Sequence, residues 1–355
     1  MTANRGFEPT FCTIVPPHVL DTLARSEDPA LAGPARRTLE RDALERTHRR
    51  LTTVIGAPAL APPEALADQP NRTIHDARHK QDLPGKKVRG EGDKPGKDAT
   101  VNRAYAGLGA TFDLFLKAYE RNSINGEGLP LNATVHFGED YNNAFWNGEQ
   151  MVFGDGDGEI FLDFTIPVDV IGHELAHGVT QYTANLTYFG QPGALNESMS
   201  DVFGSLIKQY TLGQSAADAD WLIGAGLLAP RVTGKALRSM KEPGTAYDDD
   251  VLGKDPQPAT MDDYVQTGRD NGGVHINSGI PNHAFYLTAT ALGGNAWERA
   301  GQIWYDVLTG GELDSEANFS DFANLTLAQA RATYGEGEEL QAVTKAWEQV
   351  GVLTA

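Results

Sequence analysis

The sequence contains a single cysteine, Cys12, among 355 residues. One thiol excludes a disulfide framework within the chain, since each bridge consumes two cysteines. The sequence also lacks any run approaching the ~20 apolar residues that cross a bilayer. Residues 1–9 have no apolar core of the kind that a secretory signal requires. These absences predict no membrane partner and no signal peptide, and therefore either a cytoplasmic location or export by a leaderless route to act outside the cell.

Positive charge is scarce. The 29 Lys and Arg residues face 48 Asp and Glu residues, which leaves a net charge of −19. The deficit is uneven, because residues 1–50 carry +1 and the remainder carries −20. An acidic body of this kind repels nucleic acid and can favour cationic or neutral peptides. We therefore expect no nucleic-acid partner, although a well-solvated surface accounts for most of the individual acidic residues.

The first seventy residues differ in character from the rest of the chain. Pro16 and Pro17 follow a short apolar segment and favour extended or turning backbone. A short helix with many Arg and Glu residues is expected over 34–51, and residues 57–70 have the Ala and Pro content of an exposed linker. The predicted regions of the chain are 1–70, 71–190 and 191–355.

Beyond residue 70, a β-rich half precedes an α-rich half. Strands are expected over 134–137 and 150–153. Residues 154–158 predict the turn of a hairpin that continues into 160–162, rather than a calcium loop, because the remaining ligand spacing is missing. The halves meet at a helix that Pro167 would open, so we predict an α+β fold of two lobes. Further helices are expected over 105–119, 195–210, 281–292, 296–309, 319–334 and 337–350.

The segment from His173 to His177 carries the strongest functional signal, His-Glu-Leu-Ala-His. Imidazoles four positions apart lie on one face of a helix, about one turn apart, and can bind one metal ion. Glu174 would handle the proton of a bound water. On its own this pattern is weak support for zinc, since it also arises by chance. The class with a third histidine six residues later is excluded, because position 183 is Thr.

Two acidic residues of the next helix strengthen the zinc hypothesis. Glu197 offers a third ligand, and zinc held by two His and one Glu keeps a fourth position for water, as in hydrolytic sites. Asp201 shares the face of Glu197 and could bind the free N–H of a ligand histidine. An exposed acidic helix face is the plainer interpretation. The apolar neighbours on both sides argue for burial, however, and a buried carboxylate needs a partner.

A third motif places His275 behind a Gly-rich loop, with Asp270 five positions earlier. The carboxylate would hold the imidazole as a hydrogen-bond donor. Taken alone, the motif is more simply a turn with an incidental surface histidine. Beside a zinc helix, it fits a group that stabilises negative charge in a transition state.

Together with residues 141–146 and 237–240, these motifs resemble the thermolysin family of zinc endopeptidases from about residue 72 to the end of the chain. The motif around Pro16 and Pro17 resembles the short propeptide of the protealysin branch. The resemblance implies a β-rich N-terminal lobe, an α-helical C-terminal lobe, the zinc helix at their seam and a small propeptide. It implies a neutral metalloendopeptidase that cuts proteins and peptides before bulky hydrophobic residues and is made as an autoprocessed precursor.

The resemblance also implies a role for each site residue. The zinc ligands would be His173, His177 and Glu197, supported by Asn196 and by Asp201, which would orient His173. Glu174 would be the general base, and Tyr188 and His275, the latter held by Asp270, would stabilise the oxyanion.

The resemblance further implies which residues bind the substrate. Its main chain would be bound by Asn143, the carbonyl group of Ala144 and Arg238, with Arg238 at the carbonyl beyond the scissile bond. An apolar S1′ pocket would be lined by Phe161, Val170 and Leu237.

One departure from the family concerns calcium, which the family binds as a pair of ions through clustered acids. Asp169 and Asp220 match that pattern, whereas Lys208, Leu222 and Ala225 occupy positions where Glu is frequent. A cation in place of a ligand removes attraction and adds repulsion. We therefore expect the double-calcium site to be absent or reduced to one ion.

Residues 1 to about 60 would fold against the catalytic domain as a propeptide, with their basic helix docked on the acidic body. Autocatalytic removal would cut between about residues 54 and 70. The propeptide is thus an expected partner in cis, and a proteinaceous inhibitor is a further candidate partner. Cys12 has two interpretations: a thiolate that caps zinc in the latent form, or a small buried apolar residue, which is the commoner role of a free cysteine.

Two other functions fit parts of the pattern. A zinc aminopeptidase also uses the histidine motif with a distant Glu, but that class normally places the Glu one residue nearer and carries a GxMEN-type motif, which this sequence lacks. A metal-bound scaffold without activity is the non-enzymatic alternative. It has no reason to keep Glu174, Tyr188 and His275, which handle protons and charge.

Overall fold

The computed structural model describes residues 11–55 and 68–354, and the side chains of residues 48–55 lie outside this description. The described strands are β1 (Cys12–Thr13), β2 (Arg72–Asp76), β3 (Lys86–Gly90), β4 (Leu131–Val135), β5 (Ala144–Trp146), β6 (Met151–Phe153), β7 (Leu222–Ile223), β8 (Arg238–Ser239), β9 (Asp248–Asp249) and β10 (Gly253–Lys254). The described helices are α1 (Pro17–Ala24), α2 (Pro29–Ile55), α3 (Ala99–Tyr119), α4 (Val168–Gln181), α5 (Gly190–Leu212), α6 (Asp270–Asn277), α7 (Gly279–Leu292), α8 (Ala300–Thr309), α9 (Phe319–Tyr334) and α10 (Glu338–Gln349).

The N-terminal region begins with an extended segment and continues as two helices. Pro16 is extended, as expected, but Pro17 is the first residue of α1 rather than part of an extended or turning segment. A proline at this position costs no hydrogen bond and already has a helical φ. Helix α2 starts at residue 29 rather than 34, because the Asp28 carboxylate accepts the N–H of Ala30 at 3.0 Å and so begins the helix earlier.

Helix α2 docks on the body mainly through small and acidic side chains. Two of its arginines also reach the body: Arg37 contacts Asp140 at 2.9 Å in an exposed ion pair. Arg41 pairs with Glu45 of its own helix and donates to the side chain and the carbonyl of Gln81 at 3.2 and 3.3 Å. The predicted docking of a basic helix is therefore only partly realised. The buried face follows a helical spacing through Leu31, Ala35, Thr38, Asp42 and Glu45.

A mixed six-stranded sheet forms the first lobe, with strand order β1-β5-β6-β4-β2-β3. Strand β1 comes from the N-terminal region and pairs antiparallel with β5, Cys12 opposite Trp146 and Thr13 opposite Phe145. Strand β4 is parallel to both β2 and β6. The N-terminal region therefore supplies an edge strand to the sheet of the catalytic body.

The predicted hairpin at 154–158 is wrong. Residues 160–162 do not pair with β6, whose antiparallel partner is β5. Instead the carboxylate of Asp157 accepts the N–H groups of Glu159, Ile160 and Phe161 at 3.0, 2.8 and 3.1 Å. This local turn directs Phe161 to a bridge with Leu228 in another part of the chain. Tertiary pairing has overridden a local turn signal.

Two other element boundaries differ from the sequence predictions for local reasons. Helix α3 begins at Ala99 rather than 105, because the Asp98 carboxylate accepts the N–H groups of Thr100 and Val101 and caps the helix. Strand β4 ends at Val135, before His136 takes a positive φ of 53°.

The second lobe is helical. Helices α7 to α10 lie close to the predicted ranges, and α9 matches its predicted range of 319–334. Indole rings of Trp304 and Trp347 stack with centroids 6.0 Å apart in the core of this lobe. Helix α4 lies between the sheet and the second lobe. The chain thus has the predicted two-lobed α+β architecture. Over the residues described, no helix has both the length and the apolar character that crossing a membrane requires.

Candidate metal centre and substrate cleft

Helices α4 and α5 bring the predicted zinc ligands together because their backbones approach closely. The close approach depends on Gly172 and Gly204. A Cβ at Gly204 would lie 2.6 Å from the carbonyl oxygen of Asp169, and one at Gly172 would lie 2.6 Å from the Cδ1 atom of Ile207. At Gly204 the neighbour is backbone, so a larger side chain would push the two helices apart, whereas at Gly172 the side chain of Ile207 would have to move. Glycine at these positions therefore sets the distance across which ligands can meet.

The three predicted ligands converge at this crossing. The Nε2 atoms of His173 and His177 lie 3.0 Å apart. The Glu197 carboxylate lies 3.5 Å from each of them, Oε2 facing His173 and Oε1 facing His177. All three side chains are buried. Nitrogen and oxygen donors at these separations can share one small cation.

The hydrogen bonds on the far side of each imidazole determine which nitrogen carries the proton. The Nδ1 atom of His173 contacts Asp201 Oδ1 at 2.8 Å, and that of His177 contacts Asn196 Oδ1 at 2.8 Å. Both partners are acceptors, since the amide nitrogen of Asn196 donates to the carbonyl of Leu186. Each Nδ1 therefore carries the hydrogen, and the Nε2 lone pairs point at one another. A metal ion between them removes this repulsion.

The charges of the site also fit a divalent cation. Arg238 donates to both carboxylate oxygens of Asp201, at 2.8 and 2.9 Å, and Asp270 is paired with His275. Glu174 and Glu197 are different. Among the described residues, Glu174 Oε1 and Glu197 Oε2 are buried and accept no hydrogen bond. Two carboxylates left in this state require a positive partner, and the donor set of two His and one Glu suits zinc.

Burial and neighbouring charge shift the proton affinities of these groups. Burial, reinforced by the Glu197 carboxylate, raises the pKa of Glu174 well above its usual range. A raised pKa suits a group that takes a proton and later returns it. Burial lowers the pKa of His177 to about 3, so its imidazole is neutral, as a metal ligand must be. The Glu174 carboxylate is oriented by the N–H of Trp146, which donates to its Oε2 at 3.1 Å.

His275 lies opposite the metal ligands on helix α6, which the sequence suggested was a loop. Asn271, Gly272 and Gly273 have left-handed φ values inside this helix and fold Asp270 back onto His275. The Asp270 carboxylate binds both the Nδ1 atom and the backbone N–H of His275, at 2.6 and 2.9 Å. Although burial lowers it, Asp270 raises the pKa of His275 to about 9. The His275 Nε2 atom is therefore a charged donor directed into the site.

Tyr188 is the second predicted oxyanion donor. Its hydroxyl lies 3.4 Å from Nε2 of His275 and donates a hydrogen bond to Glu197. Both donors thus lie beside a predicted zinc ligand, at the position where negative charge on a substrate carbonyl would need stabilisation.

The cleft contains chain residues 13–15, held by four main-chain contacts. The carbonyl oxygen of Thr13 lies 3.0 Å from Nε2 of His275. The N–H of Ile14 donates to the carbonyl of Ala144 at 3.2 Å, and the carbonyl of Ile14 accepts from Arg238 at 3.1 Å. The fourth contact is formed by the N–H of Val15, which donates to the side-chain oxygen of Asn143 at 3.0 Å. The structure thus brings the three predicted main-chain-binding groups and one of the two predicted oxyanion donors, His275, to one segment.

The residues predicted to line the S1′ pocket lie in one buried cluster. Phe161, Val170 and Leu237 are 0–3 % exposed, and Ile14 belongs to the same cluster at 0 %. Their assignment to a specificity pocket stays a prediction.

Two residues of the site were not found from the sequence. Asn282 donates to Asp201 at 2.8 Å and completes the hydrogen bonds of that carboxylate. Asp42 of α2 accepts from Asn143 at 3.0 Å and from the hydroxyl of Tyr141. Burial raises the pKa of Asp42 to about 6, although both hydrogen bonds act to lower it. Two sequence signals could have indicated these residues. Asn282 is a lone Asn at the apolar start of α7, and Asp42 follows Thr38 at a four-residue spacing.

A buried site of two histidines and one glutamate, beside a cleft that holds extended peptide, defines the chain as a metallopeptidase. Sequence profiles agree with this class. The catalytic domain of thermolysin metallopeptidase matches residues 65–181, and the alpha-helical domain of thermolysin metallopeptidase matches residues 184–352. The chain belongs to the thermolysin family of metallopeptidases.

Similar proteins support the assignment. The chain is 53 % identical over 342 residues to an extracellular metalloprotease of Pectobacterium carotovorum subsp. carotovorum, covering 96 % of each. It is 39 % identical over 289 residues to a thermolysin of Alicyclobacillus acidocaldarius subsp. acidocaldarius, covering 78 % of this chain and 50 % of that one. The solved precursor of protealysin, a metalloproteinase from Serratia proteamaculans, superposes on this chain with a TM-score of 0.88 and 51 % sequence identity. The match covers 96 % of this chain and 100 % of that one.

These matches confirm the predicted fold, the family and the class of enzyme, a zinc-dependent metalloendopeptidase. The alternative of an inert scaffold and that of an aminopeptidase are therefore set aside. The roles of individual residues, the region boundaries and the calcium content stay predictions.

Proposed function

We propose that this chain hydrolyses peptide bonds on the N-terminal side of bulky hydrophobic residues and is made as a precursor whose own N-terminal segment occupies the cleft. The supporting observation is the set of four main-chain contacts to Thr13, Ile14 and Val15. Each contact uses a group predicted from the sequence to bind a substrate.

The segment lies in the direction of a substrate. Its Thr13 carbonyl faces the oxyanion donor His275, and its Ile14 carbonyl faces Arg238, which is predicted to bind the carbonyl beyond the scissile bond. The Thr13–Ile14 peptide bond therefore occupies the place of a scissile bond. Ile14 then occupies the place of the residue after the cut, and it is fully buried and apolar. This supports a preference for a bulky hydrophobic residue at that position.

The proposed catalysis follows from the positions of the side chains. A zinc ion bound by His173, His177 and Glu197 would supply Lewis-acid polarisation of water and of the peptide carbonyl. Glu174 accepts a proton from the attacking water and delivers it to the leaving amine. His275 and Tyr188 donate hydrogen bonds to the carbonyl oxygen as it gains negative charge. Loss of one such donor typically costs about 10²–10³ in rate.

We further propose that the N-terminal segment is removed autocatalytically. The predicted cleavage range, about 54–70, falls mainly on residues 56–67, which lie outside the described residues. Action outside the cell is consistent with the relative named as an extracellular metalloprotease. A proteinaceous inhibitor that enters the same cleft is a further proposed partner.

The proposed calcium content is low. The Lys208 ammonium lies 2.8 Å from Asp169 and 2.8 Å from Asp220, the two acids that match the family's calcium ligands. It also donates to the carbonyl of Leu222 at 2.6 Å. A protein cation in contact with both carboxylates supports the proposal that the double-calcium site is absent or reduced to one ion.

The function is tested with the purified full-length chain and two variants. Glu174→Gln should retain zinc, fail to cleave casein or peptides, and keep its N-terminal segment. Glu312→Gln, a change at an exposed glutamate, is the matched control and should behave as the unmodified chain does.

Mass spectrometry of products should show cuts before Leu, Ile or Phe. N-terminal sequencing of active enzyme should begin within or after residues 54–70. Cuts fixed by a charged residue, or an active enzyme that keeps residue 2, would contradict the proposal.

A further inference from the structure

The segment that occupies the cleft also brings the only thiol of the chain to the metal ligands. Cys12 immediately precedes Thr13, whose carbonyl contacts His275. Cys12 is 2 % exposed. Its sulfur, a ring nitrogen of His177 and a carboxylate oxygen of Glu197 all lie within 4.8 Å of one another. The thiol is thus not an isolated buried cysteine but one member of a cluster of metal-ligating side chains.

A second observation indicates that this cluster is directed at a cation. The Oε2 atom of Glu197 is buried and accepts no hydrogen bond from the described residues. The Nε2 lone pairs of His173 and His177 converge beside it, as argued above from their Nδ1 partners. Ligand atoms of a tetrahedral zinc site with one sulfur lie about 3.5 Å apart, so the cluster is close to the spacing that a shared ion imposes.

The fixed position of the segment explains how Cys12 could reach the metal without disturbing the sheet. Strand β1 holds Cys12 opposite Trp146, whose N–H donates to Glu174. Cys12 is therefore anchored by the same strand that places Thr13 and Ile14 along the substrate path. The position that a hydrolytic site keeps open for water is the one that a side chain entering from this strand would fill.

We propose that Cys12 is the fourth zinc ligand of the precursor, so that latency depends on a thiolate at the metal as well as on a filled cleft. This inference rests on the proposed function of the site. On binding, the Cys12 thiol would release its proton to solvent, and the thiolate would take the position that water holds in a hydrolytic site. The precursor then holds no water beside Glu174, and the Thr13–Ile14 bond is protected although it lies in the place of a scissile bond.

X-ray absorption spectroscopy at the zinc edge tests the proposal on the full-length chain. The Glu174→Gln background keeps the N-terminal segment uncleaved. The expected result is one sulfur at about 2.3 Å from zinc. That sulfur should disappear in the Cys12→Ser, Glu174→Gln chain. It should remain in a matched Thr13→Val, Glu174→Gln chain, which changes the neighbouring side chain and keeps the thiol.

The outcomes separate this inference from the proposed function. Zinc bound by nitrogen and oxygen alone in the Glu174→Gln chain overturns the role of Cys12 and leaves the zinc site intact. Absence of zinc from every chain overturns both. Cobalt substitution gives a second readout, since a thiolate-to-cobalt charge-transfer band in the Glu174→Gln chain requires a bound sulfur whether or not the Cys12→Ser chain folds. Absence of that band from the cobalt-loaded chain overturns the proposal.

Discussion

Two clusters of acids lie at or beside the crossing of α4 and α5 and are neutralised in opposite ways; the first is buried, and the second joins buried Asp169 to exposed Asp220. In the site cluster, Glu174 and Glu197 each retain a buried oxygen that accepts no hydrogen bond within the described part of the chain. In the second cluster, the Lys208 ammonium contacts Asp169 and Asp220, both at 2.8 Å. The second cluster supplies its own cation, and the first depends on a bound ion.

The difference shows how one pair of helices can hold both a reactive and an inert centre. A bound ion with a free coordination position can activate water. An ammonium group that is already saturated by carboxylates and a carbonyl can only hold the structure together. A third acidic pair, Asp98 and Asp155, is joined by His136, with contacts of 3.0 and 2.9 Å. The His136 imidazole loses its positive charge when the pH rises. The three clusters should therefore respond to different treatments: zinc removal, substitution of Lys208 and a rise in pH.

Zinc removal should have the largest effect. Chelating zinc from the active enzyme is expected to abolish peptide hydrolysis, because Glu174 then has no activated water to deprotonate. Activity should return on addition of Zn²⁺ but not of Ca²⁺, and a calcium-selective chelator should leave the rate unchanged. Peptide cleavage with parallel metal analysis checks this. Full activity in protein without zinc would contradict the claim that the site cluster depends on a bound ion.

The His275→Ala change should have the next largest effect, a fall of about 10²–10³ in kcat/KM at unchanged zinc content. The reason is the loss of a charged donor aimed at the carbonyl oxygen. His283→Ala is the matched control, since the Nδ1 atom of His283 contacts the backbone carbonyl of Met240, and its activity should stay near that of the unmodified enzyme. Equal losses in both variants would point to a structural role for His275.

The Lys208→Met change should destabilise the protein by about 3–5 kcal/mol, because it leaves the buried carboxylate of Asp169 without its cation. Denaturant unfolding of the Glu174→Gln chain with and without the change measures this and avoids self-digestion. Lys235→Met, at an exposed position, should change stability by no more than about 0.5 kcal/mol. A loss below about 1 kcal/mol for Lys208→Met, or two calcium ions bound per parent chain, would contradict the proposed role of Lys208.

The His136 pair should give the smallest and most specific effect. Hydrogen bonding to Asp155, reinforced by Asp98, raises the pKa of His136 to about 9 from 6.5. A raised folded-state pKa contributes stability that is complete below about pH 6.5 and is lost as the pH rises through 9. After allowance for solvent screening we expect about 1–2 kcal/mol. Unfolding free energies between pH 6 and 10 should fall more steeply in the Glu174→Gln chain than in the same chain carrying His136→Gln. Parallel curves would show that His136 does not titrate in this range.

The convergence of the three proposed zinc ligands was predictable because the spacing of the two histidines is local. His173 and His177 share a helix face whatever surrounds them, and the apolar neighbours of Glu197 already indicated burial. Helix α9 was predicted at its observed bounds for the same reason, since its apolar periodicity and its capping Asn318 lie within one segment. The hairpin at 154–158 failed because strand pairing depends on residues far along the chain.

The sequence alone therefore determined the class of enzyme, the proposed ligand set and the acidic, disulfide-free character of the chain, since these depend on residue types and on spacing along one helix. The tertiary structure decided which acids carry their own cation and which do not. It alone brought Cys12 and Ile14 to residues more than a hundred positions away, because such contacts arise only when separate elements pack against each other. Whether the cleft is open or filled is a property of that packing, and no local pattern encodes it.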